Sequence, residues 1–422
     1  MSFDDDRVTG AVTERGLTRY HVRLLTILFT VWLLTSMNNQ LYSLVAPSIL
    51  REWNLTYVHL GFISAIMPVG SILGLMTFGS LADRLGRKRL LSISTLGIGL
   101  GFLSGLAQDW IQLGVTLAVK SFAVSGIFPL VFSLAAEELP PQKRGLGISI
   151  IASAYGLGGG FLAGLTSSIL TPISWRLIFF VLIVPSLATA LMVEKLLQES
   201  KVWVTLKERE RMVESRSFLD RIRSFGPLRM FGRGYRRSLV AALLVRALAS
   251  VIWIGVAQWI VTFLATERRM SIESGATWFA LFGVFGFFGN WINGSCADRF
   301  GRKATITAFF VSTGLSIIVF ALLARTEIEL MAMTVPIGIT LLGLYPTTFT
   351  MVAELLPSEI RVGGSSLISV LLEPIVFSLP ILVGVGATNF SIAMCFVAIA
   401  AFTIGTSLAL HIIIPETRGR VL

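Results

Sequence analysis

Residues Gly79-Ser-Leu-Ala-Asp-Arg-Leu-Gly-Arg-Lys-Arg89 return almost letter for letter as Gly294-Ser-Cys-Ala-Asp-Arg-Phe-Gly-Arg-Lys-Ala304, 215 positions on, from 79 to 294. Two further pairs keep nearly that offset. Glu137-x-x-Pro140-x-x-x-Arg144 matches Glu354-x-x-Pro357-x-x-x-Arg361, and Glu199 matches Glu416. One module of about 200 residues is therefore used twice. Both copies are apolar: hydrophobic residues make up 54% of the 422, charged residues only 14%, and the mean hydropathy is +0.79. A soluble domain carries about 25% charged residues, so the composition is that of a polytopic membrane protein.

A crossing needs about 20 apolar residues, and runs of that length recur. They predict an all-α chain of twelve spans at 23–49, 57–81, 89–107, 111–136, 145–170, 176–197, 237–264, 274–296, 304–324, 328–353, 362–386 and 390–414. The implied organisation is an N-terminal six-helix bundle at 1–197, a basic connector at 198–236 and a C-terminal six-helix bundle at 237–422. The polar opening stretch, with Asp4, Asp5 and Asp6, has no apolar core of a secretory signal. Span one is expected to act as its own insertion signal. Arg84, Arg87, Lys88, Arg89, Lys143, Arg144, Arg299, Arg302, Lys303 and Arg361 all fall on alternate loops. The positive-inside rule then places both termini in the cytoplasm of a multi-pass cell-membrane protein. Trp53, Trp110, Trp175 and Trp278 at the outer ends read as an aromatic belt.

Net charge is +11, and the excess gathers between the halves: eleven Lys/Arg against four acids from Lys201 to Arg237. Anionic lipid beside a cytoplasmic connector accounts for this at about 1 kcal/mol per charge, without nucleic acid. Glu208 to Arg223 reads as an amphipathic helix on that surface. Cys296 and Cys395, the two cysteines, give no disulfide or metal framework. His21, His59 and His411 are scattered, and no Gly-x-x-x-x-Gly-Lys-Ser/Thr loop binds ATP. An enzyme is excluded on these grounds, and no cofactor is expected.

The twin Gly-x-x-x-Asp-Arg-x-Gly-Arg-Lys segments resemble the signature loop of the major facilitator superfamily. Glu137…Arg144-Gly145, Glu354…Arg361 and Pro415-Glu416-Thr417-Arg418-Gly419 resemble the signatures of its sugar-porter and organic-acid/proton symporter branch. The resemblance runs from span one to Arg418. It implies two pseudo-symmetric six-helix bundles, a central cavity lined mainly by spans 1, 4, 7 and 10, and alternating access by rocking of the bundles. Gly79, Asp83, Arg84, Gly86, Arg87, Glu137, Arg144, Asp298, Arg299, Gly301, Arg302, Glu354, Arg361 and Glu416 then become gating candidates. A carboxylate at a helix start and its loop arginine make contacts that one access state holds and the other breaks. Fixing topology is the competing role for these charges.

Lys120 in span four, Arg246 in span seven and Glu373 in span eleven lie about nine to eleven residues from a span end, roughly 15 Å deep. A charge facing lipid there costs at least about 2.5 kcal/mol, so these three should face the cavity or one another. Two cations against one acid favour an anionic substrate, with Glu373 as the proton-coupling group. A structural ion pair of Glu373 with Arg246 is the alternative. Thr35, Asn38, Asn39 and Tyr42 share a face of span one at i, i+3, i+4, i+7 spacing. Arg246, Ser250 and Trp253 share one in span seven, with Gln258 beyond, and Tyr345 joins them from span ten. Substrate contact is expected of Thr35, Asn38, Asn39, Tyr42, Lys120, Arg246, Trp253, Gln258 and Tyr345.

Aromatic-acid symporters, which the chain resembles around Ala46 to Trp53, carry an acidic pair in span one. Thr35 and Asn38 stand at the matching positions and cannot carry a proton. Coupling would have to move to Glu373, and uncoupled uniport or exchange gains ground. Span seven lacks the glutamine-rich pattern of sugar porters, having Val251-Ile-Trp253-Ile-Gly-Val-Ala-Gln258-Trp259. The leading reading is a monomeric secondary transporter of a small organic anion, a carboxylate or aromatic acid, moved with protons. Its rival carries neutral or cationic compounds, by sugar uptake or drug efflux.

Overall fold

The computed structural model describes residues 18–200, 203, 204, 236–355 and 361–417, without the side chains of 79, 80, 82–84, 141–146, 236, 237, 353 and 361–367. The connector at 198–236 and its expected surface helix lie almost wholly outside the described residues. All regular structure among those described is helical, as lipid demands, because a membrane segment must satisfy its own backbone hydrogen bonds. Buried hydroxyls follow the same logic: Thr35, Thr313 and Thr348 each donate to the carbonyl four residues back, at 2.7, 2.7 and 2.8 Å.

Spans one and two are long helices, Arg19–Glu52 and Tyr57–Leu85. Span three is Arg87–Gly99 followed by Phe102–Gly105, interrupted where Gly99, Leu100 and Gly101 meet. Eleven helices among the described residues are long and apolar enough to cross a membrane, and this broken third span is the one that falls short of that length. Span four is Trp110–Val124 with Ile127–Glu138, and span six is the 3-10 turn Trp175–Phe179 with Ile183–Leu196. Spans eight, nine, eleven and twelve are Ile272–Phe300, Arg302–Leu322, Arg361–Asn389 and Ile392–Ile413.

Spans five, seven and ten are wound differently. Each is an α-helix opened by a π turn: Gly156–Leu162 between Pro141–Tyr155 and Ala163–Leu170; Trp253–Ala257 between Arg236–Ile252 and Ile260–Thr266; Gly338–Leu342 before Tyr345–Leu355. Span ten begins with Glu327–Ala332 and Thr334–Ile337. Such turns recur at functional sites, where the extra residue per turn redirects side chains.

The repeat is visible in the packing. Span one packs on five, two on four and three on six, and the same pairs recur as seven on eleven, eight on ten and nine on twelve. Between halves, span two meets eleven, five meets eight and one meets seven. Glycine allows these approaches: a side-chain carbon on Gly160 would stand 2.2 Å from the Cα of Gly283, and one on Gly61 2.6 Å from the Pro380 carbonyl. Arg51 adds a hydrogen bond across the same outer region, 3.2 Å to the Ala265 carbonyl.

The belt expected of four tryptophans is corrected. Trp278 is fully buried and donates to the Leu330 carbonyl at 2.8 Å, inside the C-terminal half. Trp175 is 3% exposed and donates to Glu52 at 2.5 Å, while the Arg176 guanidinium lies over its ring at 4.4 Å. A tryptophan near a span end finds a partner for its N–H as readily in a neighbouring helix as at the lipid surface.

Candidate functional site

On the face where both termini lie, each half builds the same clasp. Spans three and nine start at Gly86 and Gly301, both with φ of 95° and neither able to cap a helix with a side chain. A carboxylate from the far end of the same half supplies the cap. Glu199 accepts from the backbone N–H groups of Arg87 and Lys88 at 2.9 and 3.1 Å; Glu416 accepts from those of Arg302 and Lys303 at 2.9 and 3.1 Å. The two glycines are required twice over, by their positive φ and because a side-chain carbon would stand 2.3 and 2.6 Å from those carboxylates.

Around each cap, an arginine joins span three or nine to span four or ten. Arg87 pairs with Glu137, and Arg302 with Glu354 at 3.5 Å and with Asp298 at 2.6 Å. Ser200 donates to Glu137 at 2.6 Å as Thr417 does to Glu354 at 2.6 Å. Arg299 lies over Phe300 at 5.4 Å. The side chains of Asp83, Arg84, Arg144 and Arg361, and the surroundings of Gly79, lie outside the described residues.

Halfway through the bundle, six aromatic rings close a loop. Trp32 meets Phe128 at 5.6 Å, Phe128 meets Phe349 at 6.3 Å, and Phe349 meets Tyr345 at 5.9 Å between centroids. Tyr345 then meets Trp253 at 5.8 Å, Trp253 meets Tyr155 at 5.9 Å, and Tyr155 returns to Trp32 at 6.0 Å. The rings come from spans one, four, five, seven and ten, and two of the links, Phe128–Phe349 and Tyr155–Trp253, cross between halves. Every spacing is in the range where ring quadrupoles attract. The π turns sit beside this loop: Tyr155 precedes the first, Trp253 opens the second, and Tyr345 follows the third.

Arg246 belongs to this loop. Its guanidinium carbon lies 4.5 Å from the centre of the Phe349 ring, and it makes no hydrogen bond or ion pair with any described residue. Phe128 and Phe349 are 41% and 42% exposed, so the loop is open beside the cation. A guanidinium held by its face against a ring keeps its edge N–H groups for a carboxylate.

The other expected site residues divide. Trp253 and Tyr345 join Arg246 in the loop, and exposed Asn39 falls seven positions after Trp32 on the same side of span one. Tyr42 instead donates to the Leu60 carbonyl at 3.0 Å, tying span one to span two, and Thr35 is buried against its own helix. Gln258 has a buried side-chain oxygen without a partner. Lys120 does not meet Arg246: it is 1% exposed and donates to the backbone carbonyl of Asn38 at 3.2 Å. Gly101, at the break in span three, closes that pocket, its side-chain direction ending 3.3 Å from Asn38 Oδ1 and 3.7 Å from Lys120 Cδ. Both amide atoms of Asn38 are buried without partners. Glu373 has no ion pair or hydrogen bond among the described residues. It is partly exposed, on the side of span eleven that carries Pro380 and Gly384 toward span two. The expected pairing with Arg246 is not made.

Sequence reasoning passed over Trp32, Gln40, Phe128, Tyr155 and Phe349. Gln40 donates to the Tyr155 hydroxyl at 3.2 Å and sets that ring. The available signal was the coincidence of an aromatic with each glycine-rich or cation-bearing stretch: Tyr155 before Gly156, Trp253 one helical face from Arg246.

Known proteins share this architecture. A family model described as Major Facilitator Superfamily matches residues 28–372. A probable 4-methylmuconolactone transporter of Cupriavidus pinatubonensis is 24% identical over 93% of this chain and 90% of its own length. A gallate transporter of Pseudomonas putida is 25% identical over 84% of this chain and 83% of its own. Among solved structures, a D-xylose-proton symporter superposes with a TM-score of 0.75 at 16% identity, covering 96% of this chain and all of that one, a likeness of fold.

Proposed function

From a chain that belongs to the Major Facilitator Superfamily, and is thus a membrane transporter, we propose the carriage of a small organic anion, an aromatic or related carboxylic acid, together with a proton. The observation that carries this reading is Arg246, a cation without an acid partner, stacked on an aromatic loop that both halves contribute. A flat acid fits such a place in two ways: its ring stacks on Phe128, Phe349 or Tyr345, and its carboxylate takes the guanidinium in a bidentate pair. Relatives named for gallate and for a muconolactone support the same substrate class. Trp253, Tyr345 and Asn39 complete the substrate contacts. Lys120, Asn38, Thr35 and Tyr42 hold the N-terminal half together instead.

Transport follows from where the halves touch. Spans two and eleven, five and eight, and one and seven meet toward the outer ends, while the described clasps on the termini face stay within one half. The site therefore opens toward the termini, which the positive-inside rule puts in the cytoplasm of a cell-membrane protein. Rocking would part the outer seam and bring the two clasps together. Glu373, an unpaired carboxyl where the halves meet, is the group we assign to the proton.

Uptake of a radiolabelled aromatic acid into proteoliposomes tests the reading. Arg246→Met is expected to raise KM at least about tenfold, with Arg246→Lys between it and the native protein, since a point charge replaces a fork. Glu373→Gln should keep substrate exchange and lose accumulation driven by a pH gradient. Native kinetics in Arg246→Met would reject the anion site.

A further inference from the structure

We propose that Asn293 of span eight is a positioning residue for the substrate site, fixing the break in span ten from which Tyr345 reaches the aromatic loop; the assignment rests on the reading of that loop as the site. Span ten leaves its π turn at Leu342 and resumes as an α-helix at Tyr345. A helix that restarts carries N–H groups with no carbonyl one turn back to receive them. Pro346, the second residue of the new segment, has no N–H at all. The third, Thr347, donates its N–H to Asn293 Oδ1 at 3.1 Å and its hydroxyl to the same oxygen. One side-chain oxygen of a neighbouring span thus takes both donors of the residue two places after Tyr345.

The two backbones leave this contact no slack. A side-chain carbon on Gly289 would stand 2.3 Å from the Ile339 carbonyl, and one on Gly343 2.7 Å from the carbonyl of Gly289. Span eight is pressed on the break from its π turn to its restart, and Asn293 lies one turn beyond Gly289 on that contact. Asn293 and Thr347 are 0% and 1% exposed. Asn293 Nδ2 has no partner. A buried amide with half its hydrogen-bonding capacity unused is a poor choice for packing, which a leucine would do better; it is explained by the oxygen it supplies. Moving Thr347 would swing Tyr345, whose ring meets Trp253 at 5.8 Å and Phe349 at 5.9 Å.

Asn293→Leu removes the acceptor, Asn293→Asp keeps an oxygen in place, and Thr347→Val removes only the hydroxyl donor. We expect Asn293→Leu to raise KM for an aromatic acid about tenfold while Vmax and the KM of a short aliphatic acid hold, and Asn293→Asp to restore the native value. Thr347→Val should fall between them and serves where Asn293→Leu does not fold. Trp253 emission, taken as the difference from a Trp253→Phe background, should shift in Asn293→Leu and Thr347→Val but not in Asn293→Asp. A fall in Vmax with unchanged discrimination between the two acids, or unchanged Trp253 emission once the acceptor is gone, would overturn the assignment. Failure of the native protein to transport any acid would strike the substrate reading alone, because the Trp253 signal still reports whether Asn293 sets Tyr345.

Discussion

A single methyl group at position 160 is expected to change which way the transporter faces. In the seam between spans five and eight, the side-chain carbon of an alanine there would stand 2.2 Å from the Cα of Gly283. Carbon atoms settle at about 3.5 to 4.0 Å, so the backbones must part by roughly 1.3 to 1.8 Å. Sliding offers no escape: Gly164 is already held against Ala280 N at 2.5 Å and the Ala276 carbonyl at 2.7 Å, and Gly156 against the Gly283 carbonyl at 3.0 Å. Overpacking of this kind costs about 1 to 3 kcal/mol. The cost falls only on the conformation whose outer seam is closed, so the equilibrium shifts roughly 5- to 150-fold toward the open one. Nitroxides at Gln108 and Ile328, on outer loops of the two halves, would report this by pulsed electron-spin distance measurement after Cys296 and Cys395 are replaced by alanine. Gly160→Ala and the reciprocal Gly283→Ala should both raise the long-distance population. Gly294→Ala, with nothing within 4 Å, should leave it unchanged. An unaltered distribution in both seam variants would refute the idea that this contact opens during transport.

Gly86→Ala and Gly301→Ala should each lower thermal stability by about 1 to 3 kcal/mol in detergent, since each forces a side chain into positive φ and displaces a capping carboxylate; equal melting curves would show that the caps are dispensable. Lys120→Met should raise the melting temperature, gaining on the order of 1 to 3 kcal/mol by removing a cation held by one backbone carbonyl, and should leave KM for the acid unchanged. A large rise in KM would return Lys120 to the substrate site.

Much of the architecture was written in local patterns. Apolar runs gave the spans, and the repeated motif paired Arg87 with Arg302 and Glu199 with Glu416, whose contacts match atom for atom. The third span was harder, because glycines at 99 and 101 break a run that reads as continuous. Depth was legible for Lys120 and Arg246, but direction was not. Span one has neighbours nearly all round, so helical spacing grouped Thr35, Asn38, Asn39 and Tyr42 without saying which of them look outward. The aromatic loop was invisible for a different reason: its six members lie between positions 32 and 349 on five spans, and only tertiary packing brings them together. The π turns add to this, since spacing counted at 3.6 residues per turn goes out of phase wherever one occurs.

Those wide turns have a bearing on how such a chain can vary. Each holds one residue more than ordinary winding needs, so losing one, Leu157 for example, would cost the helix little locally. Everything beyond it would nonetheless rotate by about 100°, carrying Gly160 and Gly164 off the backbone they face and putting bulk in their place. Among descendants of this sequence, residue exchanges inside the three turns should accumulate while single-codon insertions and deletions there are purged.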